Sequence, residues 1–118
     1  MKKPLNAARA WKKETLVGRE PNMWRYRELL PLLAGESPVT LGEGFTPLLH
    51  ARRLGATLGL ERLFIKDESL NPTNSFKARG QSAAITRARA LGATTIALPT
   101  AGNAGNAAAA YAAAAGLA

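Results

Sequence analysis

Cysteine is absent from the chain, and histidine occurs once, at His50. Without thiols there is neither a disulfide framework nor a thiolate metal site, and the redox compartment stays open. One imidazole excludes a histidine-rich metal centre, so no metal is expected, and His50 reads as a loop or surface residue. Aromatic residues make up only 6%, which leaves little stacking platform for single-stranded nucleic acid. No apolar run reaches membrane-spanning length. The basic start, Met1 to Lys13, lacks the apolar stretch of a secretion signal, so the cytoplasm is the expected setting.

Acidic side chains are also few, 8 against 16 lysines and arginines, giving a formal net charge of +8 over 118 residues. Such a balance favours polyanions or phosphorylated small molecules as partners. The basic pairs Lys2–Lys3, Lys12–Lys13 and Arg52–Arg53 are scattered among Glu14, Glu20, Glu28 and Glu61. This is a solvated basic surface rather than a tail, and nucleic acid is disfavoured as a partner.

What is present is an ordinary α/β pattern of one small domain's length. Residues 1–38 read as a peripheral helical extension, with Trp24, Leu29 and Leu30 on one face and Pro31 as its break. Gly35-Glu36-Ser37-Pro38 is a turn. Residues 39–48 read as short strand plus loop, and 51–59 as a short helix ending near Gly59. Leu63-Phe64-Ile65-Lys66 is a strand. A turn-rich loop, 67–74, follows. Asn74 or Ser75 then caps a helix over 76–90, with Ala83, Ala84, Ile85, Ala88 and Leu91 on its core face. Residues 94–98 form a second, buried strand, and an alanine-rich helix begins near Ala104. Strand, helix, strand, loop and helix in that order predict a βαβ unit with a parallel sheet. The run ends at Ala118, where a further strand is due, so residues 39–118 read as the first part of a larger domain. Half a sheet should expose apolar faces and favour aggregation.

Two constellations carry chemistry. Asn71-Pro72-Thr73-Asn74-Ser75-Phe76-Lys77 puts a lysine in the first turn of a helix, against the helix dipole. That position, with Phe76 beside it, disfavours the ammonium and favours the free amine that attacks carbonyls. The bland alternative is a solvated lysine. Thr100-Ala101-Gly102-Asn103-Ala104-Gly105-Asn106 follows a strand and opens a helix. Its glycines allow close backbone approach, and free N–H groups at a helix start suit a carboxylate or phosphate. Asn103 adds a side chain able to donate or accept. The spacing is neither a dinucleotide fingerprint nor a Walker loop, and a plain strand-to-helix turn is the alternative. Both loops follow strands, where α/β sheets bind ligands.

The stretch Lys66–Gly80 resembles the cofactor-lysine segment of fold-type-II pyridoxal-phosphate (PLP) enzymes of the tryptophan synthase β-like type. Gly42–Leu48 is similar to the GEGxTPL segment of the threonine synthase family, Met23–Pro31 looks like the entry segment of that family, and Pro99–Gly105 resembles the asparagine loop of the PLP enzymes. The resemblance implies a partial parallel three-layer sandwich, incomplete in this chain, and PLP as cofactor. It implies Lys77 as the Schiff-base and proton-shuttling lysine, Asn103 on the cofactor's phenolic oxygen and Phe76 near its ring. Thr100, Ala101, Gly102, Asn103 and Ala104 would receive the substrate α-carboxylate. The implied reaction is a lyase step of threonine biosynthesis, O-phospho-L-homoserine and water giving L-threonine and phosphate. The implied substrate is a phosphorylated amino acid, and a homodimer is compatible. Ala101 and Ala104 replace hydroxyl residues common in the family, leaving backbone N–H groups for that role. The glycine-rich cofactor-phosphate loop and the partner of the pyridine nitrogen would lie beyond Ala118. The alternatives are a serine/threonine ammonia-lyase on the same fold and a non-catalytic relative that keeps the lysine.

Overall fold

The computed structural model describes residues 12–118. The predicted helix over 1–11 and the Lys2–Lys3 pair lie outside the described residues. From residue 12 to 38 the chain is not α-helical but carries two 3-10 turns, Lys13–Leu16 and Met23–Leu29. Gly18, Pro21, Pro31 and Gly35 punctuate this stretch too often for an α-helix to propagate. Nor is the segment peripheral throughout, because Met23 and Trp24 are buried while Leu29 stays exposed. Asn22 starts the second turn by accepting the Trp24 N–H at 2.8 Å. The Arg19 guanidinium braces it with a two-pronged pair to Glu28, at 2.7 and 2.8 Å.

Strand β1 (Leu48–His50) and strand β2 (Phe64–Lys66) pair antiparallel, with Leu49 opposite Ile65. Backbone bonds from Ala51 to Leu63 and from Asp67 to Pro47 lengthen the pairing at both ends. Helix α1 (Arg52–Leu58) joins the two strands and stops at Gly59, which takes the left-handed conformation at φ 68°. The parallel βαβ unit predicted from residue 63 onward is therefore corrected at its first strand. Residues 64–66 find their partner upstream, and all six residues of the ribbon are exposed.

Helix α2 (Lys77–Ala90) and helix α3 (Asn103–Ala115) pack against each other and make the core. Val39, Ala78, Ile85, Ala107, Tyr111 and Ala112 form it, with Ile96, Ala115 and Leu117 alongside. The buried stripe of α2 is Ala78, Ser82, Ile85 and Thr86, at helical spacing. The predicted stripe was partly wrong, since Ala84 and Leu91 are exposed. Two hydroxyl residues are buried instead because each binds backbone. Thr86 Oγ1 accepts the Val39 N–H at 2.8 Å, and Ser82 Oγ lies 2.7 Å from the Val39 carbonyl.

Residues 94–98, predicted as a buried strand, run without a full ladder and are exposed apart from the half-buried Ile96. The Ala118 N–H bonds the Thr94 carbonyl at 3.0 Å, and the Ile96 N–H bonds the Ala118 carbonyl at 2.7 Å. That alternation is the pattern of parallel pairing, so a parallel crossover does occur, from 94–98 through α3 to Ala118. No three-layer sandwich is formed among the described residues. The radius of gyration is 17.0 Å, against the ~13.5 Å expected of a compact domain of this length. The difference agrees with the exposure of Leu48, Leu49, Phe64, Ile65 and Leu91.

Candidate active site

Lys77 opens α2. Just before it, Thr73 and Asn74 take left-handed conformations, with φ of 61° and 52°. Neither is glycine, so each costs on the order of 1 kcal/mol, and such strain persists only where surroundings over-determine it. Here they do. Asn71 is buried, and its amide donates to the Glu68 carbonyl and carboxylate while its oxygen accepts the Gly44 N–H at 3.0 Å. Glu68 in turn accepts from Thr46 Oγ1 at 2.5 Å and from Arg79 at 2.6 and 2.8 Å. The Arg79 guanidinium foremost, then the Thr46 and Asn71 hydrogen bonds, pull the Glu68 carboxyl down to about 2. Arg79 is thus committed to pinning this loop.

Ser75, not Asn74, caps the helix. Extended at φ −156° and buried, it accepts the Lys77 N–H on its Oγ at 3.1 Å and the Ala78 N–H on its carbonyl. Lys77 itself is half-buried. Its amine lies 4.2 Å from the centroid of the Phe76 ring and has no hydrogen bond or ion pair among the described residues. Phe76 was expected to desolvate that amine. Phe76 is 58% exposed, and its ring offers the amine its negative face instead, a contact favourable to a cation.

The second loop is built around Thr100. Its Oγ1 accepts the N–H groups of Gly102 at 3.3 Å and Gly105 at 3.2 Å, and the Gly102 carbonyl also takes those of Gly105 and Asn106. The expectation of free N–H groups at this helix start therefore holds only in part. Those of Ala101, Asn103 and Ala104 have no acceptor among the described residues, while Gly102, Gly105 and Asn106 are used internally. Gly105 is required by close approach, because a Cβ there would stand 2.6 Å from Thr100 Cγ2. The Asn103 side chain is exposed and makes no hydrogen bond among the described residues.

The run from Ala93 to Thr100 spans roughly 20 Å if extended, about the length of α2. By length, then, it returns the chain to the Lys77 end, and α3 packs on the 72–74 turn as well as on α2. An unpartnered amine, an unpartnered carboxamide and three free N–H groups are thereby offered by the starts of two packed helices. That donor set fits PLP and an amino-acid carboxylate: an amine for an aldehyde, an amide for a phenolic oxygen, and N–H groups for an anion.

Sequence reading missed the buried carboxylate that ties these helices together. Glu43 is fully buried. Trp24 Nε1, Ser82 Oγ, Thr40 Oγ1, the Leu41 N–H and the Tyr111 hydroxyl all lie within hydrogen-bond reach of it. Burial, then the adjoining Glu43, push the Tyr111 phenol above the ordinary tyrosine range, so it stays a donor. The signal available was a glutamate between two glycines, which marks a tight turn but not its occupants. No group of three or more His, Asp or Glu suited to a metal is found among the described residues, nor is any helix there long and apolar enough to cross a membrane.

Residues 39–118 match the family described as "Pyridoxal-phosphate dependent enzyme". The chain belongs to that family, whose cofactor is PLP. It is also similar to threonine synthases. Identity is 43% over 104 residues to that of Methanosarcina acetivorans, covering 88% of this chain and 25% of the relative. It is 45% over 93 residues to that of Synechocystis sp., covering 78% and 24%. With the Mycobacterium leprae protein it is 47% over 92 residues, covering 78% and 25%. The chain thus spans about a quarter of the length of the curated relatives it matches.

Proposed function

We propose that this chain supplies the cofactor lysine, Lys77, and the carboxylate-binding loop, 100–104, of a PLP-dependent threonine synthase. The reaction is that of O-phospho-L-homoserine with water, giving L-threonine and phosphate, in a cytoplasmic protein that is a homodimer at its relatives' full length. The observation that carries this reading is the Lys77 amine, free of hydrogen bonds and ion pairs among the described residues and presented by a strained and heavily pinned turn at a helix start. The similarity to threonine synthases supports the choice of reaction.

When bound, PLP supplies an electron sink for negative charge at the substrate Cα. The chain's own residues do the rest. Lys77 Nζ would hold the cofactor, and the same nitrogen would take and return protons as base and acid. The Asn103 amide would donate to the phenolic oxygen, and Phe76 would flank the ring. The N–H groups of Ala101, Asn103 and Ala104 take the α-carboxylate, while the Thr100 hydroxyl and Gly102 hold the loop open for it. A net charge of +8 suits a phosphorylated substrate. With a quarter of its relatives' length, the chain alone is expected to hold PLP weakly and to turn nothing over.

The test is to mix the chain with PLP, reduce with borohydride and map the modified lysines by mass spectrometry. Selective modification of Lys77, absent in Lys77→Ala, is expected. Modification spread evenly over the lysines would overturn the assignment of Lys77 and favour a non-catalytic relative.

A further inference from the structure

Glu43 is the one fully buried acidic side chain among the described residues, and it has no cation within ion-pair distance. Carboxylate oxygens accept, and the surrounding indole, amide and hydroxyl groups can donate, with the single Ser82 proton shared between Glu43 and the Val39 carbonyl. Trp24 Nε1 and Ser82 Oγ reach Oε1 at 2.8 and 2.5 Å. The Leu41 N–H and the Tyr111 hydroxyl reach Oε2 at 3.0 and 2.6 Å, and Thr40 Oγ1 touches both oxygens. These donors come from four separate pieces of chain: the 23–29 turn, the 40–44 loop, α2 and α3.

The apolar contact between α2 and α3 is smooth by comparison. Apart from the Tyr111 ring, it is built on Ala78, Ala107 and Ala112, with Ile85 as its largest aliphatic member. Alanine faces lack the knobs that index one helix against another, so the packing tolerates sliding along the axis. Hydrogen bonds to a fixed carboxylate do not tolerate it, because they weaken steeply with distance and angle. Ser82 lies five residues from Lys77 and Tyr111 eight from Asn103, about 8 and 12 Å along their axes. The two bonds to Glu43 therefore set how far one helix start stands from the other.

We propose that Glu43 is a positioning residue, whose carboxylate fixes the axial offset of α2 against α3 and so the separation of Lys77 from Asn103. Its functional consequence rests on the PLP reading above; the helix offset does not. Glu43→Gln replaces one acceptor oxygen by a donor that faces donors. Tyr111→Phe keeps the ring in the core and removes one bond.

The natural absence of cysteine makes the offset measurable. Spin labels on paired cysteines at Ala84 and Ala109, both exposed, report the inter-helix distance by pulsed electron resonance without any cofactor. A single narrow distance is expected in the parent chain. Glu43→Gln should broaden it at least twofold or shift it by about 3 Å or more, the rise of two residues along a helix, at unchanged helical circular dichroism. Tyr111→Phe should give a smaller change in the same direction. A purely stabilising role would leave the distance of folded molecules unaltered, and an unchanged distribution in Tyr111→Phe together with Glu43→Gln, or in Tyr111→Phe alone should the Gln variant not fold, overturns the proposal. In parallel, Glu43→Gln should lower the Lys77 share of PLP modification about tenfold. Absence of Lys77 selectivity in the parent chain would count against the PLP reading and leave the distance result to decide the role of Glu43.

Discussion

Gly44 and Gly42 both take positive φ, at 101° and 88°, but only Gly44 is crowded. A Cβ on Gly44 would stand 2.6 Å from the Met23 nitrogen, 3.2 Å from the Asn22 carbonyl carbon and 3.1 Å from an Arg79 nitrogen. On Gly42 it would meet nothing within 4 Å. Alanine at either position incurs the strain of a left-handed backbone, about 1 kcal/mol. At Gly44 it also forces the 22–24 backbone away. The Met23 N–H bond to the Glu43 carbonyl, 2.7 Å long, is then lost or stretched, and Trp24 is pulled off the Glu43 carboxylate. Together these add about 2 kcal/mol. The Met23 amide is the local probe, since its exchange with solvent requires that bond to open. Its opening free energy should fall by about 1 kcal/mol in Gly42→Ala and about 3 in Gly44→Ala, or roughly fivefold and 150-fold in exchange rate. Equal acceleration in the two variants would show that the close approach of the N-terminal segment to the 40–44 loop does not hold it in place.

Three further outcomes follow from the same geometry. The Glu68 carboxyl is held at about 2 by Arg79 first and then by Thr46 and Asn71. Because the folded value lies below the unfolded one, the stabilisation is complete above about pH 4.5 and lost as pH falls toward 2. Both partners are about a third exposed, so the effect is about 1 kcal/mol. Glu68→Gln should flatten part of the acid limb of an unfolding titration followed by Trp fluorescence, the remainder belonging to Glu28, which Arg19 also lowers to about 2; an unchanged limb refutes this. At the second loop, Gly105→Ala displaces Thr100 and frees the N–H groups it holds, whereas Gly102→Ala meets nothing within 4 Å. Thermal scans should show the first destabilised and the second unchanged, and reduced PLP or substrate affinity in Gly102→Ala would report ligand approach, while full affinity would remove that residue from the site. Finally, the exposed Leu48, Leu49, Phe64 and Ile65 should drive concentration-dependent association in light scattering, and Leu49→Lys with Ile65→Glu should suppress it; a monodisperse parent chain would contradict this.

How far the sequence spoke depended on whether a signal was local. The start of α2, the C-cap at Gly59, the helix at 103 and the tight turn before Lys77 are encoded by neighbours along the chain, and they were legible. The partner of residues 64–66 was not, because pairing is decided by a segment 16 residues upstream whose own pattern, Leu48-Leu49-His50, does not alternate. The buried face of α2 was misread for a related reason. Hydrophobicity singles out Ala84 and Leu91 over Ser82 and Thr86, yet the two hydroxyl residues go inside because Val39 and Glu43 bring them partners.

The same partners explain why the proposed cofactor lysine stood out and its support did not. Lys77 breaks a local rule, a cation in the first helical turn, and a broken local rule is visible in one dimension. Glu43 breaks a rule only in three dimensions. As a glutamate in a Gly-Glu-Gly turn it reads as a solvated loop residue, and it becomes costly only when Trp24, Ser82 and Tyr111, up to 68 residues away, close over it. A chain that needed only a core could put an apolar side chain there and avoid desolvating a polar group. Retaining the carboxyl group makes sense where the placement of two alanine-faced helices has to be unique, and those are the helices whose first turns carry Lys77 and Asn103.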